Sequence, residues 1–290
     1  MTRPSPRLPS RALLVAALVL VVACTPDAAP APDTSTVPSD YAVRWSTDPS
    51  PPLAGDETRF SATVTDQDAA PIEDLQQSHA RMLHTLFLSA DLRSFLHLHQ
   101  EDLGPVTADD LRAATFAFPV TFPSAGDWAM AFHFAHRDRY LARADMLVVG
   151  GSPAQSAPDV TLADTSTRDG LTGTIRFATR PAVGVRTDWT ITLEDAGGAP
   201  VSDVVPWLDA DAHAVLASAD LAWVTHTHAW FPGMDGMSPG HAMPHLYDGP
   251  DLPFQAVFEV PGPTVVWVQV ARAGAPDAPV TLRFVVDVTP

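Results

Sequence analysis

Leu83-His84-Thr85-Leu86-Phe87-Leu88-Ser89-Ala90-Asp91-Leu92 recurs 129 positions later as Ala212-His213-Ala214-Val215-Leu216-Ala217-Ser218-Ala219-Asp220-Leu221. The same offset sets Asp66 on Asp195, Pro71 on Pro200 and Asp74 on Asp203, and Phe95-Leu96-His97-Leu98-His99 on Val224-Thr225-His226-Thr227-His228. Further on the offset becomes 136, where Phe122 meets Phe258 and Gly126 meets Gly262. A repeat of this length decides the organisation before local propensity does, because each copy is one structural unit. Two homologous domains are expected, at residues 41–150 and 169–290, joined by a linker at 151–168.

Within each copy, short apolar runs are broken by Pro, Gly and Asp, with little helical periodicity. Such runs lie at 59–64, 82–88, 114–122, 128–134, 189–193, 256–260 and 265–270. That spacing predicts an all-β chain of two tandem immunoglobulin-like (cupredoxin-like) β-sandwiches, roughly seven strands each.

The N-terminus reads differently. Arg3, Arg7 and Arg11 precede an apolar run at 12–22 that is short for a bilayer span, the pattern of a cleaved export signal at 1–23. Residues 24–40 are rich in Pro, Ala, Ser and Thr, have almost nothing to bury, and read as a flexible tether. Without the signal the chain carries 14 basic against 34 acidic side chains, a formal charge of −20. A surface of that sign repels phosphates, so nucleic acid is not expected as a partner.

Three histidines per copy keep one spacing: 13 residues from His84 to His97 and from His213 to His226, then His-X-His ending at His99 and His228. Residues i and i+2 of a strand point to one face about 6.5–7 Å apart, so two imidazoles can close on one ion. A third from the neighbouring strand would complete a three-nitrogen site. The bland alternative is a set of buried histidines satisfied by backbone carbonyls, since His84 and His213 sit in runs that are apolar on both faces. Leu96 and Leu98 around His97 suggest that the histidines of the first His-X-His point outward. The first copy adds His133, His136 and His79, weaker ligand candidates; Gln269 and Arg272 stand at the second copy's equivalents of the first two.

The change of offset means that the second copy gained seven residues, and the gain falls at the loop 230–250. Met234, Met237 and Met243 lie there with His241 and His245, among Gly233, Gly236, Pro239, Gly240 and Pro244. Thioethers suit Cu(I) and imidazoles extend the set to Cu(II), while zinc or nickel could use the imidazoles alone. Methionine is also an adaptable apolar filler, which is the competing reading.

Three resemblances sharpen these expectations. Val21-Val22-Ala23-Cys24 resembles the lipobox of bacterial lipoproteins, which implies a lipid on Cys24 and a place in the cell envelope; Thr25 would suit the outer membrane, facing the periplasm, in a Gram-negative host. His84, Asp91-Leu92, Phe95 and His97-Leu98-His99, and more loosely His213, Asp220-Leu221, Trp223 and His226-Thr227-His228, resemble exported heavy-metal-binding, YtkA-like domains. Gln100 and Ala229 replace the Pro usual after the last His of that pattern. The Met and His loop looks like those of periplasmic copper-resistance proteins, CopC-like sandwiches among them.

No phosphate loop, nucleophile elbow or His-Glu-X-X-His helix occurs, so no enzyme is expected. The expected function is a lipid-anchored envelope protein that binds copper for tolerance, storage or delivery, with a copper-dependent enzyme or efflux system as partner. The alternative is a structural or protein-docking module of two Ig-like domains with no metal.

Overall fold

The computed structural model describes residues 40–78, 80–232, 234 and 245–290. The export signal, Cys24 and the tether, together with His79, Met237, His241 and Met243, lie outside the described residues. Among the described residues no helix is long and apolar enough to cross a membrane.

The first domain has seven strands: β1 (Tyr41–Asp48), β2 (Glu57–Asp66), β3 (Leu83–Ser89), β4 (Phe95–Leu98), β5 (Thr115–Thr121), β6 (Gly126–His136) and β7 (Arg139–Val149). Two short helices, α1 (Gln100–Leu103) and α2 (Ala108–Ala113), link β4 to β5. One antiparallel sheet runs β1-β2-β5 and the other β4-β3-β6-β7. Phe60, Phe116 and Phe118 of the first sheet pack on Phe87, Met130 and Phe132 of the second to form the core.

The second domain comprises β8 (Thr165–Arg168), β9 (Leu171–Phe177), β10 (Arg186–Asp195), β11 (Val204–Val205), β12 (His213–Ser218), β13 (Val224–His228), β14 (Asp251–Val257), β15 (Gly262–Arg272) and β16 (Ala275–Val288). Its sheets run β14-β10-β9-β8 and β13-β12-β15-β16, with β11 beside the end of β15. The chain is therefore all-β, two tandem immunoglobulin-like sandwiches. The repeat holds at the level of single residues: the ends of β2 shifted by 129 are those of β10, and the ends of β5 and β6 shifted by 136 are those of β14 and β15.

Two boundaries differ from the sequence reading. The run at 256–260 is not a strand by itself; β14 occupies Asp251–Val257, with Leu252, Phe254 and Ala256 turned inward. Asp251, Pro253 and Gln255 on its other face hid the period of two. Residues 165–168 were read as linker, yet they form β8 on the free edge of β9.

The central strands read as apolar on both faces because both of their faces are buried. On β3 and β12, Phe87 and Leu216 point into their own sandwiches, whereas Leu86, Leu88, Val215 and Ala217 join Ala129, Ala131, Val265 and Trp267 in a third apolar cluster between the domains. Phe95 of β4 stacks on Trp267 of β15, ring centroids 5.8 Å apart. The β4-β3-β6-β7 sheet of the first domain thus packs face to face on the five-stranded sheet of the second that contains β12 and β15. Arg283 of β16 fastens the junction by donating from Nε to Leu92 O at 2.7 Å.

Candidate metal centre

The turn after each His-bearing strand is built alike. Ser89 Oγ donates to Asp91 Oδ1 at 2.6 Å and accepts from Ser94 N, with Leu92 at φ 60°. Ser218 repeats this with Asp220 at 2.7 Å and Trp223 N, with Leu221 at φ 57°. Such local side-chain bonding makes a tight turn. It folds β4 back on β3 and β13 on β12, so that His97 lies opposite Leu86 and His226 opposite Val215.

As a result His84, His97 and His99 share one face of the first domain, and His213, His226 and His228 share the matching face of the second. Both faces look into the junction. The histidines of the first His-X-His do point away from their own core, but into the other domain rather than into solvent: His97 is 6% exposed and His99 fully buried. The two triads form one cluster. His97 and His226 have ring centroids 5.1 Å apart, His84 and His226 5.4 Å, and His97 and His213 5.6 Å.

The first triad has its protons assigned by its surroundings. Ser78 O only accepts, so His84 carries its hydrogen on Nε2, 2.9 Å away, and presents an unprotonated Nδ1. The Asp102 carboxylate lies 2.8 Å from His99 Nδ1, which leaves His99 Nε2 unprotonated, and that atom sits 2.8 Å from His84 Nδ1. Gln269 Oε1 from the second domain accepts from His97 Nδ1 at 3.3 Å, which turns His97 Nε2 toward His84 Nδ1, also at 3.3 Å. The inward nitrogens His84 Nδ1, His97 Nε2 and His99 Nε2 thus converge on one place. An imidazole-bound d-block cation with bonds of about 2.0–2.1 Å needs tetrahedral N···N edges of about 3.3 Å.

A proton is a poor substitute for that cation. Burial holds His84 down to about 4 and pushes His97 and His99 well below the ordinary imidazole range, with neighbouring histidines adding to the effect. A cation, in contrast, would be bound by neutral imidazoles whose far N–H groups are already oriented by a carbonyl, a carboxylate and an amide, the arrangement common around metal-bound histidine.

The second triad repeats part of this frame. Trp207 O, at the position equivalent to Ser78, accepts from His213 Nε2 at 2.8 Å, and His213 Nδ1 lies 3.1 Å from His226 Nε2. His226 Nδ1 is 3.4 Å from Tyr140 Oη of the first domain. Burial holds His213 to about 3 and His226 well below the usual range. The ring of His228 stands 4.6 Å from that of His213 and 4.4 Å from that of His226.

Other expected ligands have different surroundings. His133 pairs with His84 in register, is buried, and neither ring nitrogen meets a hydrogen-bond partner; its ring is 5.9 Å from that of His226. His136 is engaged by Asp74 and Tyr41 in the place where Arg272 pairs with Asp203 in the second copy. Met234 was expected as a thioether ligand, but it lies in the core of the second domain with Phe231 and Tyr247, and its sulfur accepts from Phe231 N. His245, expected in the same loop site, has its Nδ1 bonded to Asp211 Oδ1, and Asp211 also receives Leu246 N and Tyr247 N. Both serve the base of the loop. Ser78, Asp102, Tyr140, Trp207 and Gln269 went unrecognised as orienting groups. Only Gln269 and Trp207 left a trace in sequence, as the repeat equivalents of His133 and Ser78.

Among solved structures, the adhesin FdeC from Escherichia coli is similar at 15% identity, covering 86% of this chain and 64% of that one with a TM-score of 0.23. Trypsin-activated alpha-2-macroglobulin from Escherichia coli is similar at 11% identity, covering 89% and 16% with a TM-score of 0.26. A putative membrane-anchored protein from Corynebacterium diphtheriae is similar at 14% identity, covering 85% and 57% with a TM-score of 0.23. The chain spans less than two thirds of the length of each. No curated protein matches it. A family described as a domain of unknown function (DUF8832) matches residues 35–149 and again residues 165–290, and this chain belongs to that family.

Proposed function

We propose that this is a metal-binding protein of the cell envelope, anchored by a lipid on Cys24, whose buried polyhistidine cluster holds copper for tolerance, storage or delivery. It is not an enzyme in this reading. The observation that carries it is the convergence of His84 Nδ1, His97 Nε2 and His99 Nε2, each histidine oriented by an acceptor on its other nitrogen. An all-imidazole set suits copper, zinc and nickel, and among divalent first-row ions copper binds such ligands most tightly. In the second copy's loop, Met237 and Met243 would add thioether ligands for Cu(I) and His241 an imidazole. A copper-dependent enzyme or an efflux system would then be the recipient, and in a Gram-negative host the anchor would face the periplasm.

The second reading is a metal-free docking or spacer module. It draws on the hydrogen bonds of His84 and His213 to backbone carbonyls, which are those of structural histidines. The test is elemental analysis of the mature protein after copper loading and gel filtration. Copper retained in stoichiometric amount, and lost when His84 and His97 are both replaced by Ala in a chain that keeps its circular dichroism, supports the metal reading. A wild-type protein that emerges without copper, zinc or nickel returns the cluster to a structural frame.

A further inference from the structure

We infer that the cluster contains a second cation seat spanning the two domains, made by His97, His213 and His226, and that it shares His97 with the first seat so that one cation occupies either. The inference rests on the metal reading above. Among the described residues, two sets of histidines place one nitrogen from each member within 4.8 Å of one another: His84, His97 and His99, and separately His97, His213 and His226. The first set is confined to one domain. The second needs both.

The second seat is equipped as the first is. Trp207 O fixes the proton of His213 on Nε2, as Ser78 O does for His84, so His213 Nδ1 is unprotonated and faces His226 Nε2 at 3.1 Å. With no cation, His226 can keep its hydrogen on Nε2 and donate it to His213. When a cation takes that place, the hydrogen moves to His226 Nδ1, where Tyr140 Oη stands 3.4 Å away to receive it. The exchange changes a tautomer and releases no net proton.

Shared use of His97 sets the stoichiometry. A neutral imidazole has one lone pair for a metal, so His97 binds one ion at a time unless it loses both ring protons. A second ion would also be repelled by the first at this separation, in surroundings of low dielectric. The cation therefore has two overlapping seats, one inside the first domain and one across the junction, and occupation of the latter ties the domains together.

Titration with Cu(II) alone, read by competition and by electron paramagnetic resonance, tests this on the mature chain. The wild type is expected to take one equivalent. His84→Ala and His99→Ala should each still take one equivalent, at least tenfold more weakly and with an altered copper spectrum, because the junction seat survives. His97→Ala should take none. Since His97→Ala could also disturb the fold, the double variant His84→Ala/His213→Ala, which keeps His97 and removes one ligand from each seat, must show the same loss with circular dichroism unchanged. Two equivalents in the wild type, or no binding by a folded His84→Ala chain, would overturn the inference while leaving metal binding intact. No binding by the wild type would instead overturn the reading beneath it.

Discussion

His97 and His226, equivalent positions of the two repeats, face each other across the domain junction with ring centroids 5.1 Å apart. Around that pair the contacts repeat with approximate twofold symmetry: His84 to His226 and His97 to His213 differ by 0.2 Å, at 5.4 and 5.6 Å. The sheets bring the pair together because both bury a second apolar face, Leu86 and Ala131 against Val215 and Trp267, with the imidazoles continuing that surface. A polar cluster in such a place is costly unless satisfied, and here Ser78 O, Gln269, Asp102 and Trp207 O supply acceptors for His84, His97, His99 and His213.

Stability of the metal-free protein should fall in acid well before carboxylates titrate. Unfolded, each histidine takes a proton near pH 6.5; folded, burial holds His84 to about 4 and His213 to about 3. The folded values are depressed, so their contribution is present above about pH 6.5 and is lost as pH falls toward the folded values. For His84 alone the full loss is about 3 kcal/mol. Urea unfolding at pH 7.5 and pH 5 measures it, and equal midpoints would show that the cluster is not held neutral.

Asp102 should matter to affinity more than to folding. It is partly exposed, and its ion pair with Arg81 contributes little stability at a surface. Its bond to His99 Nδ1 keeps Nε2 available. Replacing Asp102 by Ala should weaken copper binding about 10- to 100-fold, as loss of an outer partner of a metal-bound histidine commonly does. Competition titration reads the change, and an affinity within twofold of wild type would remove Asp102 from the site.

Met234 separates core from ligand. Truncation to Ala should cost about 2–5 kcal/mol, the range for a buried large-to-small change, because Met234 packs with Phe231 and Tyr247. The copper-to-protein ratio should not move. Unchanged denaturant stability with lost copper would place the thioether on the metal after all.

The sequence by itself determined the duplication, the all-β class and the common histidine frame, because a gapless offset and a strand period are properties of residue order. The 129-residue offset even carried Ser78 onto Trp207, two residues of unlike chemistry whose backbone carbonyls do the same work. The two-sided apolar runs around His84 and His213 were legible too, though their cause was not. The loop was misread at Met234, because composition cannot tell a thioether aimed at an ion from one packed under a phenylalanine.

Only the tertiary structure decided that the two triads are one cluster. Gln269 reaches His97 from 172 positions away and Tyr140 reaches His226 from 86. No local pattern encodes such contacts, because they arise when two already folded sheets bury their remaining apolar faces against each other. Residue order fixed which side chains each sheet presents; the docking of one sheet on the other fixed which of them meet.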